Sequence, residues 1–148
     1  MTAVAVALTI LAGVAGAVQA AVMGELGERA GTFPALAFSG IVAAVVGFAA
    51  LLVVRQSFHG IGGVVRQPVW LWTGGALGFV VVLAITVATP RIGVTATIGI
   101  LIALNLAVAG LIDHFGLFGF GRTPLTSPRV IGIVLLAAGA ALALSKRG

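Results

Sequence analysis

Of the chain's 148 residues, 61% are hydrophobic and only 7% are charged. A soluble domain carries about a quarter charged residues, so this chain cannot cover a globular surface with water-seeking groups; it reads as an integral membrane protein whose short loops leave no room for a soluble domain. There is no cysteine, which excludes disulfides and thiolate metal sites, and the net charge of +5 lies in loops and at the C-terminus, where it sets topology and meets lipid phosphates rather than nucleic acid.

A bilayer core needs roughly 20 apolar residues per helix, and five segments meet or approach that length. The first runs from about Thr2 to Met23. Val18–Gln19–Ala20 resembles a leader-cleavage site, but the segment lacks a basic n-region and its apolar run is long for a leader, so it reads as a span. Glu25, Glu28 and Arg29 fall in the loop that follows. The second span runs from about Ala35 to Val54, with Pro34 suited to a first helical turn. The GIGG run, Gly60 to Gly63, lacks the Lys and Ser/Thr of a phosphate loop and reads as a flexible connection.

The third span runs from about Val69 to Thr89, between Pro68 and Pro90, and the fourth from about Gly93 to Ile112. That fourth stretch carries one amide, Asn105, near its middle, and it ends in Asp113–His114 and the glycines Gly116 and Gly119. An amide at that depth is costly without a partner, and Asp113 faces the unfavourable end of the helix dipole. The fifth span, from about Arg129 to Leu144, is short and draws on Pro128 or local bilayer thinning. Together these make an all-α integral membrane protein with a single five-helix domain over residues 1–148.

An odd number of spans puts the termini on opposite sides. The N-terminal side, side A, then holds Arg55, Arg66, Arg122 and Arg129; side B holds Arg29, Arg91, Lys146 and Arg147. Lys/Arg bias in short loops orients a membrane protein, and four against four gives none. One reading is dual topology, with copies inserting both ways and pairing antiparallel; the other is a chance balance, with a partner chain or the N-terminal segment setting one orientation.

The polar residues within the spans are Gln19, Ser39, Thr73, Thr86, Thr89, Thr95, Thr97 and Asn105. Apart from Thr73, on side A, and Asn105, near the midplane, they fall in the side B half. This pattern predicts a polar vestibule open to side B and narrowing toward Asn105, with Gln19, Asn105, Ser39 and Thr97 as candidate substrate contacts. A Ser or Thr in a helix also closes readily onto its own i−4 carbonyl; an amide, with donors and acceptors both to satisfy, has more need of a partner. No carboxylate lies deep in a span. Asp113, His114 and Glu25 are the candidates for coupling or gating, and for Asp113 pairing with Arg122, Arg129 or His114 is the stronger expectation. Trp70 and Trp72 open the third span at headgroup level; Trp72 also counts as a substrate contact if an aromatic cage for a quaternary ammonium forms there.

Small residues recur on the spans: Ala12, Gly16, Ala20 and Gly24; Gly74 and Gly78; Gly99, Ala103 and Ala107; Gly132 and Gly139. Such ridges let helix backbones approach closely in lipid. Gly16, Gly74, Gly78, Gly132 and Gly139 are the expected packing positions, most within one chain and at least one in a dimer seam. No catalytic constellation, metal-ligand cluster or cofactor motif is present, so the chain does not read as an enzyme.

WLWTGGALGF at Trp70 to Phe79, IDHFGLFG at Ile112 to Gly119 and RVIGIVLLAAGAALAL from Arg129, with Gln19, carry a resemblance over nearly the whole chain. It resembles the YdcZ-like family of small bacterial inner-membrane proteins in the drug/metabolite transporter (DMT) superfamily. Two positions depart from the pattern. Met23 stands where an Asn is expected, removing a polar group, and Asn105 where a Gln is expected, keeping the amide but shortening its reach. The resemblance implies a single DMT-type repeat that dimerises, as an EmrE-like bundle, to match the two inverted five-helix repeats of longer relatives. It also implies that helices one to four surround the substrate path, that the last helix serves association, and that a small metabolite or cation is moved, commonly outward. The function expected is alternating-access transport across a bacterial inner membrane by a homodimer, antiparallel if topology is dual. The rival is a structural or regulatory membrane protein that partners another complex without transporting.

Overall fold

The computed structural model describes residues 2–55, 59–119 and 121–145. They form six α-helices and no strand: α1 (Thr2–Ala30), α2 (Thr32–Arg55), α3 (His59–Val65), α4 (Thr73–Ile92), α5 (Val94–Phe115) and α6 (Ser127–Ser145), with 3-10 turns at Val69–Trp72 and Leu117–Gly119. Five helical segments are long and apolar enough to cross a membrane: α1, α2, Val69–Ile92, α5 and α6.

The boundaries depart from the sequence expectation where single residues do the turning. α1 continues seven residues past Met23 to Ala30, so Glu25, Glu28 and Arg29 lie on a helix rather than in a loop. At 29 residues, α1 is about 43 Å long, well beyond a hydrocarbon core of roughly 30 Å, and its last two turns carry the charges at the membrane rim. Arg29 Nε meets Glu25 Oε1 at 2.6 Å across one turn. Only Gly31, at φ +89°, separates α1 from α2. Its N–H donates to the Gly27 carbonyl and its carbonyl accepts from Ala35 N–H, so it closes one helix and opens the next. Pro34 then falls in a first turn, where no N–H is needed. Gly93, at φ +85°, does the same between α4 and α5: it donates to the Thr89 carbonyl and accepts from Thr97 N–H. A side chain at either φ would be strained, which is why glycine stands at both joints.

The Gly60–Gly63 run, expected as a flexible connection, lies within α3. The third span opens as a 3-10 turn that brings Thr73 Oγ1 to the Trp70 carbonyl at 2.6 Å before α4 begins. The fifth span begins two residues early, at Ser127, with Pro128 inside its first turn. Its 19 residues give about 28 Å, close to a full hydrocarbon core without local thinning.

The chain divides into two compact units, Met1–Ala21 with Ala88–Gly148, and Val22–Val87. In the second unit, Met23, Ala35, Leu36, Ile85 and Thr86 are buried, all toward side B. There α1 meets α4 so closely that a Cβ on Gly27 would lie 2.5 Å from the Thr86 methyl. In the first unit, α5 packs on α6. Ala96, Ala103 and Gly110 are buried on α5 at seven-residue intervals, and Ala140 is buried on α6. A Cβ on Gly99 would meet the Ala140 methyl at 3.3 Å, and one on Gly110 would meet Leu125 Cδ2 at 3.0 Å. These are the small-residue contacts through which helices associate when apolar burial gives little drive in lipid.

The five expected packing glycines are not among them. A Cβ at Gly16, Gly74, Gly78, Gly132 or Gly139 would meet nothing within 4 Å. The intrachain seams run instead through Gly27, Gly99 and Gly110. Four-residue spacing of small residues arises from composition alone in spans this rich in Gly and Ala, so spacing could not tell which ridge faces a neighbour.

Candidate functional site

The polar side chains of the spans differ in burial and in pairing. Thr86 and Thr97 are buried, at 2% and 3% exposure, and each closes onto its own helix: Thr86 Oγ1 donates to the Val82 carbonyl and Thr97 Oγ1 to the Gly93 carbonyl, both at 2.8 Å. Thr97 is therefore satisfied within α5, and its hydroxyl caps the Gly93 joint. Thr89 is also buried, yet its Oγ1 has no hydrogen-bond partner among the described residues. The two amides are exposed. Gln19 on α1 and Asn105 on α5 both lie on the surface of the isolated chain, and neither side chain hydrogen-bonds to another described residue. Ser39 is half-buried. Gln19, Thr97 and Asn105, which share one unit, do not hydrogen-bond to one another.

Thr89 is the residue that sequence reasoning undervalued. Its signal is the run Thr89–Pro90–Arg91–Ile92–Gly93. Pro90 sits inside α4 and lacks the N–H that would bond the Thr86 carbonyl, and Gly93 ends the helix. A threonine beside two backbone interruptions is thus buried with its hydroxyl unpaired among the described residues, which few buried polar groups are.

The side A end of α5 is anchored. The last turn leaves carbonyls without helical partners, and the returning chain supplies donors to them. Gly116, in the left-handed region at φ 65°, donates to the Ile112 carbonyl. Thr123 N–H donates to the Asp113 carbonyl at 2.8 Å, and Arg122 Nε to the Phe115 carbonyl at 3.3 Å. His114 Nδ1 accepts from Leu125 N–H at 3.4 Å. The Asp113 carboxylate meets Arg129 Nη1, from the first turn of α6, at 3.5 Å. The unfavourable placement of Asp113 at a helix C-terminus is thus offset by a cation and by the positive end of the next helix dipole. Both Asp113 and His114 hold the loop in place, and Glu25 pairs with Arg29.

Trp70 and Trp72 are about half exposed, at 53% and 48%, as residues of a headgroup belt are. Among the described residues no group of three or more His, Asp or Glu gathers in a way that could hold a metal ion.

The family model described as "Putative inner membrane exporter, YdcZ" matches residues 4–142. The chain belongs to the YdcZ family of the DMT class. No curated protein matches the chain, and no solved structure matches it. Family membership and the five apolar helices make it a multi-pass inner-membrane protein, and the family's description as exporters makes it a membrane transporter. The YdcZ match takes in α2 to α5 and nearly all of α1 and α6, so the two exposed amides, the buried Thr89 and the anchored Asp113 all belong to the matched region.

Proposed function

We propose that this YdcZ-family chain is half of an alternating-access exporter of a small metabolite or cation, and that two copies of the five-helix unit enclose the path. The observation that carries this reading is the pair Gln19 and Asn105. Both lie within membrane spans, and both are exposed on the single chain with no hydrogen bond to another described residue. An amide turned to hydrocarbon is costly. In a dimer the same two side chains line a water-filled path and hydrogen-bond the substrate. The even division of Lys and Arg between the two sides supports an antiparallel homodimer, which recreates the inverted symmetry that transporters use to exchange inward and outward states.

The lack of a deep carboxylate supports a neutral or zwitterionic substrate, or movement without proton coupling. A reconstituted-vesicle flux screen with amines, amino acids and guanidinium compounds tests the reading. Flux of one class is expected in wild type and is expected to be lost in Gln19→Ala and Asn105→Ala. If both variants transport as wild type does, the amides are not the site.

A further inference from the structure

A cleft of about 240 Å³ lies between α5 and α6, lined by Leu106, Ala109, Gly110, Asp113, Leu125, Arg129, Gly132 and Ile133. Six of these residues carry only apolar groups, and two, Asp113 and Arg129, carry opposite charges. The charged pair sits in the last turn of α5 and the first turn of α6, at the membrane rim on side A. From there the apolar wall descends along α5 to Leu106 near mid-span, about 10 Å at 1.5 Å per residue. Charge at the rim and hydrocarbon below is the shape of a lipid lying along a helix pair.

The charges select the headgroup. Asp113 and Arg129 touch through one atom pair, Oδ2 and Nη1, at 3.5 Å, rather than through a two-pronged fork. The remaining guanidinium N–H groups and Asp113 Oδ1 bond no other described residue. Both side chains are nearly half exposed, at 47% and 44%, so the ion pair holds little energy of its own and stays open to a third group. An ammonium that donates hydrogen bonds matches the carboxylate, and a phosphate matches the guanidinium. We infer that the α5–α6 cleft binds a zwitterionic aminophospholipid, phosphatidylethanolamine in type, with its ammonium on Asp113, its phosphate on Arg129 and an acyl chain over Ala109, Gly110 and Ile133. A phosphatidylcholine headgroup cannot donate hydrogen bonds to Asp113, and a phosphatidylglycerol headgroup brings no cation to it.

Gly132 provides the decisive variant. It lines the cleft, and a Cβ there would meet nothing within 4 Å, so a side chain at this position starts in open space and Gly132→Leu extends into the acyl-chain path. The test is native mass spectrometry of the full-length protein supplied with phosphatidylethanolamine, phosphatidylcholine or phosphatidylglycerol of identical acyl chains. The ethanolamine lipid is expected to be retained best. That preference is expected to vanish in Gly132→Leu and to fall about fivefold in Asp113→Asn and in Arg129→Gln. Equal retention of the three lipids by wild type would overturn the inference. So would undiminished ethanolamine-lipid retention in Gly132→Leu, or a Gly132→Leu protein whose only change is loss of a dimer, which would make a second copy the occupant.

Discussion

Gly27 and Thr86 bring α1 and α4 so close that a single β-carbon on residue 27 would sit 2.5 Å from the Thr86 methyl. Gly27→Ala must therefore push the two helices apart or force Thr86 off its rotamer. Overpacking of this kind costs about 1–3 kcal/mol. The expected result is a lowered Tm for purified Gly27→Ala, largely restored by adding Thr86→Ser, which removes the colliding methyl and keeps the hydroxyl that bonds Val82. A full loss that Thr86→Ser does not relieve would place the strain elsewhere.

Gly74 and Gly78 make the contrast, since a Cβ at either meets open space. If they face lipid, Gly74→Ala and Gly78→Ala raise stability by about 0.5–1 kcal/mol through helix propensity. If either forms the dimer seam, its alanine variant instead weakens dimerisation, measured by analytical ultracentrifugation in detergent. The same comparison applies to Gly16 and Gly139.

Gly31 and Gly93 have positive φ values of 89° and 85°. Replacing either by Ala is expected to cost about 1–2 kcal/mol, read from thermal unfolding. Insertion of a second glycine after Gly93 is expected to reduce transport more than stability, because it loosens the joint while leaving the helices on either side intact.

Thr89 bears on whether the buried hydroxyl is occupied. Replacing an unpaired buried hydroxyl by a methyl of the same shape is neutral or stabilising by about 1 kcal/mol. Thr89→Val should then leave Tm equal or higher. A Tm loss would show that water or substrate normally bonds Oγ1, and a transport loss without a Tm loss would place Thr89 in the path.

Topology tests the proposed antiparallel pairing. The chain has no cysteine, so single cysteines at Gly62 and Ser145, both exposed, report orientation directly. Comparable labelling of each from outside intact cells is expected for dual insertion. Labelling of only one would make the balanced charges accidental and turn the search to a parallel pair or a related partner chain.

The number of spans, their approximate centres, the family and the glycine-marked exit from α5 were all legible along the chain. Each of these is local. Every backbone group in hydrocarbon must be satisfied within its own helix, so roughly twenty apolar residues in a row declare a span regardless of neighbours, and Gly116 declares a helix end through its own φ. The likeness of Asp113 to a loop anchor was also legible, because an acid at a helix C-terminus requires a nearby cation, and Arg122 and Arg129 were the nearest in sequence. Packing chose Gly27, Gly99 and Gly110, rather than Gly16, Gly74 and Gly132, for the close contacts within the chain, and it buried Thr89 with its hydroxyl unpaired among the described residues. Those outcomes depend on which face of one helix meets which face of another. In spans that are apolar all round, no hydrophobic stripe marks the facing side, so the information lies in pairwise fit and not along the chain.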